Sequence, residues 1–257
     1  MFTKAITRKP CRALVDGITT AMFGEGTPDY NKAIEQHAQY VAVLEELGLE
    51  VTDLEGDERY PDSCFVEDPA VVMEHCAIIT NSPKDSRNGE KFEILDTIQK
   101  FYDDSQIFFI EAPGTMEGGD VMKVGNHFYI GQSDRTNAEG ARQFNDIVTQ
   151  FGYTSSTVPV TEGLHLKDFV IYLENNNMLV SPVMNEEPSF KDFNRFVVEA
   201  DELYAINSMN INGTVLVPEG YPKTLKIIED LGYPVKVVST DEFRKIDGSL
   251  TCLSLRF

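Results

Sequence analysis

The feature that most constrains this chain is a turn followed by a short apolar strand, repeated at intervals along it. It occurs as HCAIIT from His75, NHFYIG from Asn126, NNMLVS from Asn176 and NGTVLV from Asn212. Three of these begin with Asn, and Asn-Gly or Asn-Asn suits a tight hairpin turn because both residues tolerate positive φ. A second strand candidate precedes each one (FVEDPAVVM, GDVMKVG, FVIYLE and NSMNI), so each is the second strand of a hairpin. Helical periodicity follows most of the hairpins. DYNKAIEQHAQYVAVLEELG places Ala33, Tyr40, Val41, Leu44 and Leu47 at helical spacing and stops at Gly48. KFEILDTIQKFY, AEGARQFNDIVTQFG and PKTLKIIEDLG behave alike, and the segment SFKDFNRFVVEADELYA is expected to be a further helix. Extended runs then close the units: LEVTDL, QIFFIEA, SSTVPV and VKVVS.

The unit is therefore strand, strand, helix, strand. Dividing 257 residues by five gives 51 per unit, and the spacing from His75 to Asn126 is 126 − 75 = 51. The C-terminal RKIDGSLTCLSLRF supplies one strand, and the N-terminal MFTKAITR is its expected partner. Paired termini close the repeats into a ring. The expectation is an α/β fold of five ββαβ repeats with pseudo-fivefold symmetry, a single domain over residues 1–257, with repeats that share a core because each alone buries too little.

Lys plus Arg number 22 and Asp plus Glu 42, a net charge of −20, which argues against nucleic acid as partner. No run approaches about 18 apolar residues, so no membrane span is expected. The stretch MFTKAITRKPCRALVDG has no apolar core of a secretory signal. Cys11, Cys64, Cys76 and Cys252 form no CxxC pair, which fits a reducing, cytoplasmic setting better than zinc or dithiol chemistry.

In such a ring the segments entering each hairpin point toward the centre. Four of them carry reactive side chains: PDSCFVEDP (61–69), PGTMEGGD (113–120), GLHLKD (163–168) and DGSLTCLS (247–254). They bring Asp62, Glu67, Asp68, Glu117, Asp120, His165, Asp168 and Cys252 to equivalent turns. A cysteine and a histidine that meet supply a nucleophile and a proton shuttle, and carboxylates around them hold a cation. His37, His75 and His127 are expected to be structural, as are Cys11 and Cys64.

These segments, together with LVDG (14–17), HFYIGQSDRTNAEGARQ and LHLKDFVIYLENNNML, run essentially the length of the chain. In them the sequence resembles the dimethylarginine dimethylaminohydrolases, guanidine-modifying members of the pentein superfamily. The resemblance implies a five-bladed α/β propeller that hydrolyses Nω-methylated arginine to citrulline and an alkylamine through an S-alkylthiouronium intermediate. It implies neither cofactor nor metal, a small cationic guanidino substrate as partner, and a homodimer. By position, Cys252 matches the nucleophile, His165 the general acid/base, and Glu117 the carboxylate that pairs with the substrate and orients the histidine. Asp62, Phe65, Glu67 and Asp68 match substrate-binding positions around the guanidinium. Arg87 and Arg135 match the arginines on the substrate's α-carboxylate, and Ile18 and Ile246 match loop positions over the pocket. The chain departs from the family at Cys64, where a small apolar residue is usual, at Ile18, usually leucine, and at Asn88, where a second arginine often follows. The Gly-rich VDGITTAMFGEGTPDY is expected to be a mobile lid. The alternatives are another guanidine-modifying hydrolase (an arginine or agmatine deiminase, or a citrulline hydrolase) and a non-catalytic pentein that binds a partner.

Overall fold

The computed structural model describes residues Met1–Phe257. Its strands are β1 (Lys4–Arg8), β2 (Glu50–Leu54), β3 (Ala70–Val72), β4 (Ala77–Ile79), β5 (Ile107–Phe109), β6 (Val121–Val124), β7 (His127–Gln132), β8 (Thr154–Pro159), β9 (Val170–Tyr172), β10 (Asn177–Val180), β11 (Asn194–Val197), β12 (Met209–Ile211), β13 (Thr214–Pro218), β14 (Val235–Val238) and β15 (Leu255–Arg256). They form five three-stranded sheets in the orders β15-β1-β2, β3-β4-β5, β6-β7-β8, β9-β10-β11 and β12-β13-β14. In every sheet an antiparallel pair is followed by a parallel third strand. A parallel neighbour cannot be reached by a tight turn, so a crossover joins it, and in most blades that crossover carries a helix. The helices are α1 (Tyr30–Glu46), α2 (Asp85–Asn88), α3 (Glu90–Ile98), α4 (Ala138–Val148), α5 (Pro182–Asn185), α6 (Pro222–Asp230) and α7 (Asp241–Arg244).

Local sequence explains the punctuation. The Asp29 side chain caps α1 by accepting from the Asn31 and Lys32 amides at 2.9 and 3.1 Å, and Asn137 caps α4 through the Gly140 amide at 2.8 Å. The hairpin between β12 and β13 turns on Asn212 and Gly213, both at positive φ (53° and 96°), the geometry a two-residue turn requires.

The five core clusters lie between sheets, and this closes the ring. One joins Ala5 of β1 to Met209, Ile211 and Leu216 of the fifth blade. Another joins Ile6 of β1 to Ala77 and Ile79 of the second. The others pair the second blade with the third (Ile78 with Phe128), the third with the fourth (Met122 with Met178) and the fourth with the fifth (Leu179 with Val215). The termini seal the circle as expected, with Ala5 opposite Arg256 and Ile6 opposite Leu255. The molecule is the five-bladed propeller of ββαβ units that the repeats predict.

One expected element is different. SFKDFNRFVVEADELYA is not an α-helix: Asn194–Val197 is the third strand of the fourth blade, in register with Asn177–Val180, and Ala200–Asn207 is a 3₁₀ segment. Phe190 and Phe193 mimic helical spacing because both pack into the interblade core. Pro182 and Pro188 each start a short turn of helix, so the crossover of this blade is short and the strand arrives early. No helix is long and apolar enough to cross a membrane.

Candidate active site

Each hairpin is entered through a tight turn. The 3₁₀ turns Gly118–Asp120, Leu166–Asp168, Ala200–Asn207 and Thr251–Leu253 lead into β6, β9, β12 and β15, and the turns within 61–69 lead into β3. These turns press on one another. A Cβ on Gly118 would lie 2.0 Å from the Glu67 carbonyl oxygen, and one on Gly119 would lie 2.5 Å from the His165 ring. Glycine is what lets the second and third blades meet at the site.

The turns and two loops enclose a pocket of about 340 Å³. Cys252, His165, Ile18, Asp62, Phe65, Asp68, Arg87, Arg135 and Ile246 all line it, as the sequence predicts. Glu117 lies behind that wall, fully buried, with Oε2 2.7 Å from His165 Nε2. Its carboxylate also accepts from the Ser82 hydroxyl and from Arg135 Nη1, at 2.9 Å to Oε1 and 3.0 Å to Oε2. Arg87 is held from all sides. Nη1 donates to Asp68 at 2.6 Å, Nε and Nη2 donate to Glu90 at 3.0 and 2.8 Å, and Nη2 reaches the Phe65 carbonyl at 3.3 Å. Asn88, where a second arginine is usual, donates to the Ser82 carbonyl and to Asn81 instead. Arg135 is bonded inside the protein only through Nη1, which leaves Nε and Nη2 for a ligand.

Glu67 sits elsewhere. Its carboxylate turns away from the pocket, accepting from Lys167 Nζ at 2.5 Å, Arg256 Nη2 at 3.2 Å and the Thr251 hydroxyl at 2.7 Å. It faces a separate cavity of about 940 Å³. That larger cavity is lined by neither cysteine nor histidine, so the smaller pocket is the chemical one. Cys64 packs into the interblade core and does not line the pocket. His37 and His127 are bonded to Asp53 and to Thr154 and Ser156, the structural roles expected of them.

The pocket also contains Leu164, Asp247 and Gly248, which the sequence reading did not single out individually. The Asp-Gly pair within DGSLTCLS was the available signal for the last two. A fifth turn contributes Asn207, whose side chain accepts from the Thr251 amide at 2.9 Å and donates to the Lys167 carbonyl at 3.2 Å. Asn207 thereby ties the cysteine turn to the histidine turn.

Burial and charge set the ionisation states. Burial alone would lower His165, but the Asp68 charge, the Glu117 hydrogen bond and Asp120 overcome it and push the imidazole up to about 10. Glu117 moves the opposite way: burial would raise it, yet its bond to His165 and the charges of His165, Arg87 and Arg135 hold it well below the carboxylate range. Burial, followed by the charges of Glu67, Asp68 and Asp168, raises the Cys252 thiol well above its ordinary value. The resting site therefore holds a neutral thiol beside a protonated imidazole. Asp68, Glu117 and His165 offer ligand atoms within 4.8 Å of one another. All three are already engaged by protein cations or by one another, since Arg87 lies on Asp68 and Arg135 and the imidazolium lie on Glu117.

The family model described as N,N dimethylarginine dimethylhydrolase, eukaryotic, matches residues 20–185. The N(G),N(G)-dimethylarginine dimethylaminohydrolase of Pseudomonas aeruginosa is 48% identical over 257 residues, 100% of each chain. That of Streptomyces coelicolor is 33% identical over 98% of this chain and 96% of its own. The solved Pseudomonas structure, a cysteine-to-serine mutant complexed with citrulline, matches with a TM-score of 0.97 at 48% identity over 100% of both chains. A histidine-to-glycine variant solved as an adduct with S-methyl-L-thiocitrulline gives 0.96 at 48% identity over the same coverage. The N-terminal domain of a cyanobacterial arginine dihydrolase shares the fold, with a TM-score of 0.85 at 17% identity over 100% of this chain and 97% of its own.

Proposed function

The chain belongs to the dimethylarginine dimethylaminohydrolase family, and from that premise we propose that its hydrolysis of Nω-methylated L-arginine to L-citrulline and an alkylamine is carried by Cys252, His165 and Glu117. The observation that carries this reading is the shared pocket of Cys252 and His165, with Glu117 bonded to the imidazole from behind at 2.7 Å.

The reaction follows from the side chains. A guanidinium carbon is stabilised by resonance and resists water, so a thiolate is needed. The resting thiol is neutral, disfavoured as an anion by burial and by neighbouring carboxylates. A guanidinium bound against Asp68 brings a positive charge beside Cys252 Sγ and lowers the cost of ionisation. The thiol proton passes to solvent, because His165 already holds one, and the thiolate attacks the central carbon to form a C–S bond and a neutral tetrahedral adduct. His165, protonated at rest, then gives its proton to the departing alkylamine as the C–N bond breaks. The imidazole left neutral takes a proton from water, and the resulting hydroxide attacks the S-alkylthiouronium carbon. Collapse breaks the C–S bond, the hydroxyl proton passes to the departing sulfur, and citrulline is released with the thiol restored. Glu117 keeps the imidazolium charged until the amine leaves and holds its ring toward the pocket. Arg135, through its free Nε and Nη2, suits the substrate's α-carboxylate; Arg87, expected to share that task, is instead taken up by Asp68, Glu90 and the Phe65 carbonyl and acts by fixing Asp68 in the wall. Glu67 acts from outside the pocket, through its charge on Cys252.

The pocket draws on segments of the first, second, third and fourth blades and on residues 246–252 before the C-terminal strand, which supports residues 1–257 working as one catalytic unit. Four buried, unpaired cysteines support a cytoplasmic setting.

Cys252→Ser tests the core of the reading. It should abolish release of citrulline and amine while citrulline still binds in calorimetry. A Ser variant with more than about a tenth of wild-type turnover would overturn the covalent route. Assayed side by side, asymmetric dimethylarginine and monomethylarginine should turn over, while arginine, agmatine and citrulline should lag far behind.

A further inference from the structure

The segment from Gly17 to Asp29 has no regular secondary structure, and its Ile18 lines the pocket. Two buried carboxylates tie it down. Asp62 accepts from the Ile18 amide at 3.1 and 3.3 Å. Asp247 takes the larger share. Its Oδ2 accepts from the Thr20 amide at 2.5 Å, the Thr20 hydroxyl at 2.9 Å and the Thr19 hydroxyl at 3.2 Å, while Oδ1 faces the Phe23 amide at 3.5 Å. An aspartate before a glycine in a tight turn ordinarily bonds its own backbone two residues on. Here every bond of the carboxylate crosses to a segment more than 220 residues away in sequence.

Asp247 is also rigidly placed. It sits at φ +58° between Ile246 and Gly248, both pocket-lining, and a Cβ on Gly248 would lie 2.1 Å from the Phe65 ring. The anchor is thus fixed to the pocket wall, whereas what it holds is irregular chain rich in small residues. Neighbouring contacts extend the seam: Arg244 Nη1 donates to the Phe23 carbonyl at 2.9 Å, and the Phe23 ring packs edge-on against Tyr204 at 5.6 Å.

We propose that Asp247 is the latch that holds residues 18–23 closed over the pocket, a positioning residue that retains substrate through the lid without touching the reacting atoms. This rests on the pocket being the substrate site. Closure excludes water until the amine has left, and a carboxylate suits the task because it accepts several N–H and O–H donors at once. Losing a bond to a charged acceptor weakens a closed state by about tenfold or more.

The test uses the full-length enzyme with Asp247→Gly, which keeps the left-handed backbone, Asp247→Asn, which keeps one acceptor oxygen, and Thr20→Val, which removes one lid donor. KM and kcat are measured with dimethylarginine, and hydrogen exchange is followed in peptides covering 18–23 at saturating citrulline. In Asp247→Gly, KM should rise about tenfold, more than kcat falls, and exchange in 18–23 should quicken about tenfold while the strand cores keep their protection. Asp247→Asn and Thr20→Val should fall between it and wild type. KM and lid exchange within twofold of wild type in both Asp247 variants would overturn the latch. So would a KM rise accompanied by uniformly faster exchange across the blades, since that is a folding defect. If citrulline leaves wild-type exchange unchanged at both the lid and the His165 and Cys252 turns, the pocket assignment itself fails, and the latch with it.

Discussion

Replacing Glu117 with Gln should move the titration of His165 without moving its ring far. The carboxylate bonds His165 Nε2 at 2.7 Å and Arg135 Nη1 at 2.9 and 3.0 Å, so one substitution removes a charge that two cations share. His165 stands at about 10, against an ordinary 6.5, because Asp68, Glu117 and Asp120 together outweigh burial. A hydrogen bond to a charged group is worth about 1.5–3 kcal/mol, which at 1.36 kcal/mol per unit is about 1–2 pKa units. The imidazolium of Glu117→Gln should therefore titrate about 1–2 units lower, still above the ordinary value because Asp68 remains 3.7 Å away. NMR titration of the ring nitrogens measures this directly, and the basic limb of the pH–rate profile should shift the same way. The stability of the variant follows from linkage. A raised His contributes stability that is complete below its unfolded value and lost as pH climbs from 6.5 through about 10. Glu117, held low, contributes stability that is present above 4.5 and lost as pH falls. The variant should thus be weakened most between these limits, and its stability should fall less steeply than wild type's from pH 7 to 10. Gln adds a further cost, since its amide nitrogen must face either the imidazolium or Arg135. A His165 titration unchanged in Glu117→Gln would refute the charge assignment, and with it the account of why the acid is protonated at rest.

Two further outcomes follow from the same geometry. The Cys252 thiol, raised by burial and by Glu67, Asp68 and Asp168, should ionise at lower pH when a non-reacting guanidinium ligand saturates the pocket. Thiolate absorbance or the pH dependence of alkylation reports this, and an unchanged curve would exclude substrate-assisted activation. Gly118→Ala should destabilise the fold by about 3 kcal/mol or more, lowering Tm by about 6–12 °C, because its Cβ would lie 2.0 Å from the Glu67 carbonyl oxygen. A Tm within 2 °C of wild type would mean the turns give way more easily than their packing indicates.

Most of the architecture was legible because it repeats. Asn126, Asn176 and Asn212 mark turns, Gly48, Gly152 and Gly232 mark helix ends, and every one of them stands where those signals place it. The fourth crossover was not legible, since Phe190 and Phe193 carry helical spacing for reasons of interblade packing that no local window contains. The turns alone marked Asp62, Asp68, His165 and Cys252 of the pocket; Ile18, Arg87, Arg135 and Ile246 were legible only through the family resemblance, and the lid contacts of Asp247 not at all. Those contacts join residues more than 220 positions apart, and the sequence marks only the Asp-Gly turn at one end.

Glu67 shows where adjacency in sequence misleads about chemistry. In a tight turn consecutive side chains diverge, so Asp68 enters the pocket while Glu67 enters the neighbouring cavity, and Cys252 and Thr251 divide in the same way. Ion pairs flank the two spaces: Glu67 with Lys167 and Arg256 on one side, Asp68 with Arg87 and Glu117 with Arg135 on the other. Each of these three carboxylates has a cation on it, although buried acids outnumber buried Lys and Arg, and most of the net charge of −20 still belongs to the exterior. The two act at different stages. The exterior field raises the concentration of a cationic substrate near the protein, an effect that salt screens. In the proposed reading, selection of a guanidinium depends on a few oxygens held in place, those of Asp68, paired with Arg87, and of Asp62, bonded to the Ile18 amide. A pocket lined by unpaired carboxylates would attract the same cation but would hold protons in its place. Arg87 on Asp68 and Arg135 on Glu117 offset that charge with fixed cations, and the imidazole of His165 is pushed toward its protonated form.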